Sequence, residues 1–219
     1  DLAEEALALG LPLTVVLPMP RAMYEEDFTT EASRRQFDRL CAAAQDLFEQ
    51  IARVWHDAWR DGHLGHIPES LVRQRTLAEF VTRVPARIPA THVIDDEQGV
   101  VGFVSVKDDE LEELFVDRRG RGTGVAAALL SHGEQIIAER YPVGWLAVVA
   151  GNARARHFYE RQGWHDTGPL DYVAETLAGP AKVPTRRYEK TLTASESGEG
   201  EGRASGGALG SDSFDVGQG

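Results

Sequence analysis

The sequence predicts a mixed α/β domain built on one sheet, antiparallel at the front with a parallel step in the middle. Three observations predict it. Two stretches of helical periodicity, over about 46–84, precede a run of short strands. An apolar strand at 111–116 enters a glycine-rich turn and then a long amphipathic helix. The strand that follows this helix, Trp145–Val149, must then run parallel to the first, because such a crossover joins parallel neighbours. The chain has 219 residues, 42% of them apolar, which suffices for one domain of ordinary size plus extensions.

Composition excludes several classes. The net charge of -12 argues against a basic nucleic-acid footprint. Residues 193–219 hold five acids and one base, so -4 of that charge lies in the tail and -8 in the body. An acidic body favours cationic ligands. No apolar run approaches the roughly 20 residues of a membrane span, and no charged-then-apolar signal opens the chain. The first residue is Asp1 rather than Met, which reads as a processed or truncated piece. Cys41 is the only cysteine, so an internal disulfide or multi-cysteine metal site is not expected and a cytoplasmic protein is the simplest reading.

Three segments are expected. Residues 1–45 read as an N-terminal extension: a short helix from Leu2 to Leu9, a strand Leu13–Leu17, and a helical pattern starting near Thr30. This extension is either the remnant of another α/β domain or the supplier of the main domain's first strand. Residues 46–192 form the main domain. Residues 193–219, rich in Gly, Ser and Glu, bury too little apolar surface to offset ordering entropy and read as disordered.

Within the main domain, Asp46-Leu-Phe-Glu49 has the form of a capping box and predicts a helix starting or restarting there. Phe48, Ile51, Val54 or Trp55, and Trp59 then face inward, and Gly62 ends the helix. A loop over 63–68 leads to a second helix from Pro68 to about Val84. Thr91–Asp95 and Gly99–Lys107 form a hairpin, followed by the strand Leu111–Val116. Gly122–Arg140 reads as a helix, Trp145–Val149 as a strand, and Ala153–Gln162 as a helix capped by Gly163. Strands at Asp171–Ala174 and Thr185–Leu192 flank a Gly-Pro-rich loop at 179–184.

The turn after Val116 carries chemistry. Its glycines bring backbone N–H groups together at a helix N-terminus, where the helix dipole also favours an anion. It is a pyrophosphate cradle. Gly122-Thr-Gly124-Val-Ala-Ala127 matches the dinucleotide fingerprint G-x-G-x-x-A, but the context is wrong. Three strands precede the turn, and the next strand ends in Ala150-Gly-Asn without the ribose-binding acid.

The alternative register is Arg119-Gly-Arg-Gly122-Thr-Gly124, an R-x-x-G-x-G turn. It resembles the acetyl-CoA signature of the Gcn5-related N-acetyltransferase (GNAT) superfamily. Upstream, Glu110-Leu-Glu-Glu-Leu-Phe-Val116 matches that family's fourth strand. Downstream, Asn152-Ala-Arg-Ala-Arg-His-Phe-Tyr159-Glu-Arg-Gln-Gly163-Trp matches its Asn-to-Tyr helix. The resemblance covers about residues 46–192. It implies a mainly antiparallel central sheet with a splayed parallel pair (the family's fourth and fifth strands), flanked by helices. It also implies direct transfer of an acetyl group from acetyl-CoA to a primary amine, without a metal. Cys41 lies outside both motifs, which speaks against a thiol intermediate.

Each residue then acquires an expected part. Leu111 and Leu114 are three apart, which breaks strand alternation, and a β-bulge would return both to one face. The bulge would splay the strand and free Leu114, Phe115 and Val116 to pair with the cofactor's amide-bearing arm. Arg119, Gly120, Arg121, Gly122, Thr123, Gly124 and Val125 would hold the pyrophosphate, with Arg156 on the neighbouring helix a further cofactor contact and Asn152, which opens that helix, bonding the pantetheine. Asn152 is equally suited to cap that helix.

By resemblance Tyr159 is the general acid; otherwise it is a packed aromatic. Candidate bases are Glu110, Glu112 and Glu113, with Glu110 at the family position and a solvated acidic edge as the plain alternative. Ala147 stands where some relatives keep a base on the next strand. Asp57, Asp61, His63 and His66 are candidate acceptor contacts. His63 and His66 have metal-like spacing but no cysteine partner, so no metal is expected. The acceptor is a small amine, a polyamine, an aminoglycoside, an amino acid or a protein N-terminus. Membrane and nucleic-acid partners are not expected, and the chain is read as a monomer or homodimer. A CoA-binding module without catalysis is the competing reading.

Overall fold

The computed structural model describes residues 30–174 and 180–192. The helix at Leu2–Leu9, the strand at Leu13–Leu17 and the tail 193–219 lie outside the described residues. The first helix, α1, spans Glu31–His63, and the Thr30 hydroxyl caps it by accepting from the Ser33 amide at 3.1 Å. No helix starts at Asp46. The preceding Ala42-Ala-Ala44 are strong helix formers, so the helix runs through. The Asp46 carboxylate instead accepts from Gln50 Nε2 at 2.6 Å. Gln50 Oε1 then takes the Val100 amide at 2.9 Å, tying α1 to the sheet.

The expected second helix is two. Helix α2 spans Glu69–Gln74 and α3 spans Leu77–Arg87. The split falls at Thr76, whose hydroxyl accepts from the Glu79 amide and starts the new helix. Helix α4 spans Val125–Ala138, beginning after Gly124 rather than at Gly122, and α5 spans Ala153–Arg161. Gly163 has a φ of 81°, the left-handed conformation expected of its place after the helix.

Six strands make the sheet: β1 Thr91–Asp96, β2 Gly99–Lys107, β3 Glu110–Val116, β4 Val143–Val149, β5 His165–Ala174 and β6 Ala181–Thr191. Their order is β1-β2-β3-β4-β6-β5, antiparallel throughout except for β3 beside β4. The last hairpin is longer than expected. Residues 181–184 belong to β6, where Val183 is buried and Pro184 pairs with Asp171.

The sheet separates two apolar layers. On one face α4 packs Leu129, Leu130 and Ile137 against Val104, Leu111 and Leu146. On the other, α1 and α3 pack Ile51, Trp55, Trp59 and Phe80 against Val100 and Phe103. The Phe80 ring lies 4.9 Å from that of Trp55 and is fully buried. Truncating it to Ala would remove about 3–5 kcal/mol.

Two irregularities in β3 position the site. Ser105 pairs with Glu113 but Val106 pairs with Leu111, which leaves Glu112 as the extra residue of a β-bulge. Leu111 and Leu114 consequently share the α4 face, while Phe115 joins the α1 layer. Beyond the bulge β3 leaves its neighbour. Its only paired position with β4 is Glu110 with Trp145, whereas β4 pairs with β6 at seven positions from Val143 to Val149.

Candidate active site

The glycine turn lies where β3 ends. A short 3-10 turn, Arg118–Gly120, follows the Asp117 side chain, which accepts from the Arg119 amide at 2.9 Å. Gly122 and Gly124 hold φ values of 77° and 94°, which a residue with a Cβ rarely adopts. A Cβ at either glycine would meet nothing within 4 Å, so the conformation and not the space selects glycine. Among the described residues, no acceptor takes the amides of Gly122, Gly124, Val125, Ala126 and Ala127. Five donors at the start of α4 are thus open to an anion.

The arginines of the turn are arranged differently from expectation. Arg119 reaches back to the β1–β2 hairpin and donates to the carbonyls of Gly99 and Val100 at 2.7 and 2.9 Å. It braces the turn from behind. Arg118 forks onto Asp61 at 2.8 and 3.1 Å, and Arg121 meets the same carboxylate at 2.6 Å. Asp61, expected beside the acceptor, therefore ties the end of α1 to the turn. The hydrogen bonds from Arg118 and then Arg121 hold its carboxyl well below the usual carboxylate range. Arg156 is directed to the Tyr188 hydroxyl at 3.1 Å and the Ala150 carbonyl at 3.3 Å.

Between the diverging strands lies a cavity of about 310 Å³, lined from β3, β4, α1, α3, α5 and the β5–β6 hairpin. The Asp117 amide donates to Val101 of β2 at 2.8 Å. Alternation therefore turns the N–H and C=O groups of Leu114 and Val116 the other way, into the gap. Asn152 lines the cavity and caps α5, its Oδ1 accepting from the Ala155 amide at 3.1 Å. One turn on, Tyr159 also lines the cavity. Among the described residues its hydroxyl makes no hydrogen bond, and burial pushes its pKa up, which keeps the phenol protonated. Trp164 packs beneath it in edge-on contact, with Nε1 donating to Glu134 at 2.8 Å.

The three glutamates all reach the cavity in unlike surroundings. Glu112, the bulge residue, is ion-paired with Arg87. Glu113 is 7% exposed and its Oε2 has no hydrogen-bond partner among the described residues. Burial, against the pull of Arg87 at 3.6 Å, raises its pKa to about 7. Glu110 is half-buried, with its pKa raised by desolvation and by the neighbouring Glu112.

Of the remaining candidates, His63 lines the cavity, stacked on Trp59 with Nδ1 at 2.7 Å from the Trp59 carbonyl. Desolvation lowers its pKa to about 4, so it is neutral. His66 is exposed and packs beside Gly151, and Asp57 is exposed and bonded to His56 at 2.7 Å. No group of three or more metal-ligating side chains occurs among the described residues. No helix among them is long and apolar enough to cross a membrane.

Sequence reasoning missed Arg75, between α2 and α3, and Arg83 and Arg87, on α3, all of which line the cavity. The signal was present in the steps of four through Arg75, Glu79, Arg83 and Arg87, which set one charged row along a helix. A bulged, splayed strand with open amides at its end and a protonated phenol beside the gap makes a cleft suited to an extended, anion-bearing ligand. The family model of the acetyltransferase (GNAT) family matches residues 45–164, more than half of the chain, and the protein belongs to that family. It is accordingly an acyltransferase.

Solved structures show the same fold. A GCN5-related N-acetyltransferase from Rhodopseudomonas palustris superposes with a TM-score of 0.56 at 16% identity, covering 67% of this chain and 91% of that one. A ribosomal-protein-alanine N-acetyltransferase from Brucella melitensis superposes with a TM-score of 0.50 at 22% identity, covering 68% and 96%. None of the curated proteins matches this sequence.

Proposed function

We propose that the protein transfers the acetyl group of acetyl-CoA directly to the primary amine of a small acceptor, which arrives as an ammonium ion. The observation that carries this reading is the parting of β3 from β4 after a single paired position, with Tyr159 and Glu113 on the cavity it opens. The open amides at 122–127 suit the pyrophosphate, and the unpaired groups of Leu114 and Val116 suit the carrier's amides.

Glu113 takes the proton from the amine. Its pKa near 7 matches a base working at neutral pH, and its free oxygen is available to the substrate or a water. The neutral nitrogen then attacks the thioester carbonyl, whose oxyanion is received by the Val116 amide facing the gap. As the C–N bond forms and the C–S bond breaks, Tyr159 gives its proton to the leaving sulfur, and the nitrogen sheds its second proton, which restores the phenol. Glu110 is the second candidate base, favoured by its lack of any ion-pair partner among the described residues. We read residues 46–192 as the catalytic domain, with α1 running without a break into the 1–45 extension, and the chain as a cytoplasmic monomer or homodimer.

The test is thiol release from acetyl-CoA with a panel of primary amines, for the native protein and for Tyr159→Phe. Tight CoA binding with no thiol release across the panel, and no effect of the substitution, would instead make this a non-catalytic CoA-binding module.

A further inference from the structure

The acceptor side of the cavity is not acidic, although the chain is. Three arginines and three glutamates line it, and they are not evenly matched. Arg87 is committed to Glu112 and Glu113. Arg75 is held by Glu79 Oε1. Among the described residues, Arg83 reaches a carboxylate only at that same oxygen, at 3.5 Å. Arg83 is therefore the loosely paired cation of the α3 wall. On the β3 wall, Glu110 has no ion-pair partner among the described residues.

The geometry of Arg83 suits it to receive an anion. Its guanidinium carbon lies 5.1 Å from the Trp55 ring centroid, and its side chain is 30% exposed. A guanidinium resting on an aromatic ring keeps its N–H donors free at the edge, where a carboxylate can be forked. A partly desolvated cation whose ion pair is this long is stabilised by an arriving anion and repels an arriving cation.

We infer that the acceptor is a zwitterion, a small primary amine that also bears a carboxylate, with the amine held toward Glu110 and Glu113 and the carboxylate held by Arg83. This rests on the acetyl-transfer reading above for the place of the amine. It excludes polyamines and other polycations, which would bring a second ammonium against Arg83.

The test uses matched pairs: amino acids with varied spacing between amine and carboxylate, each beside its carboxamide and the corresponding plain amine. With acetyl-CoA, the best acid is expected to exceed its amide in kcat/KM by roughly tenfold or more. Arg83→Gln should raise KM for the acid and bring the acid-to-amide ratio toward one, and Arg83→Lys should restore part of it. Amides or plain amines that equal the acids in the native protein overturn the inference. So does a ratio that survives Arg83→Gln. Should no amine release thiol, acetyl transfer itself falls. Calorimetric binding of the same pairs to the CoA-loaded protein then decides the inference separately: an acid preference that depends on Arg83 upholds it, and equal binding of acid and amide overturns it.

Discussion

The two ends of the site are built by different means. The turn at 119–125 presents an anion with backbone amides, set by two left-handed glycines and the start of α4. Its conspicuous arginine, Arg119, serves as a brace to the hairpin carbonyls. The acceptor end is made almost wholly of side chains: Trp55 from α1, Arg83 and Arg87 from α3, the glutamates of β3, and Tyr172 from β5. Backbone amides bind one shape of ligand on any chain that makes the turn. Side chains from four elements bind what this chain selects. On the proposed function, the comparison teaches that the carrier is recognised by a conformation and the acceptor by an assembly.

Four substitutions sharpen that contrast. Tyr159→Phe removes a hydroxyl that bonds to nothing among the described residues, so stability should hold while kcat falls by roughly 10²-fold or more. An unchanged kcat in steady-state assays would show that Tyr159 is only a packed ring.

Glu113→Gln should lower kcat by about 10²-fold and abolish a pH–rate inflection near 7. It also has a stability signature. The folded-state pKa lies above the ordinary 4.5, so the neutral carboxyl favours the fold fully below pH 4.5, and that contribution is lost as pH rises through 7. Gln cannot ionise. The variant should therefore gain on the native protein between those pH values, by at most about 3 kcal/mol, in melting curves across pH. A constant difference at all pH values would contradict the buried, late-ionising carboxyl.

Gly124→Val tests the other end. A β-branched residue at φ 94° costs about 1–3 kcal/mol, and relaxing it moves the amides. The KM for acetyl-CoA should rise by roughly fivefold to 100-fold, with the acceptor KM little changed. An equal rise in both would mean that the two ends do not work separately.

Asp61→Asn should have the smallest effect. Its pairs with Arg118 and Arg121 are near the surface, where such pairs contribute about 0–1 kcal/mol. Releasing the arginines toward the phosphates should tighten acetyl-CoA by less than about fivefold, most visibly at low salt. Weaker binding by calorimetry would assign Asp61 to holding the turn in shape.

Legibility in the sequence follows the same division. The bulge was readable from Leu111 and Leu114 standing three apart, because strand alternation leaves no other way to bury both. The Gly163 cap and the Asn152 cap were readable because each depends on neighbours a few residues away. The supposed start at Asp46 misled, since a capping pattern has no force inside a run of strong helix formers. The arginine row was missed because nothing local says that α3 lies over β3.

The sequence by itself determined the strand–turn–helix with its open amides, the bulge and the Asn152–Tyr159 helix, since each is decided by steric limits and hydrogen bonds within a short span. Only the tertiary structure decided which arginines line the cavity, which glutamate is buried, and that Asp61 is bound to the turn. Those outcomes depend on desolvation and charge partners brought together from distant positions, as when Arg118 and Arg121 meet a carboxylate on α1.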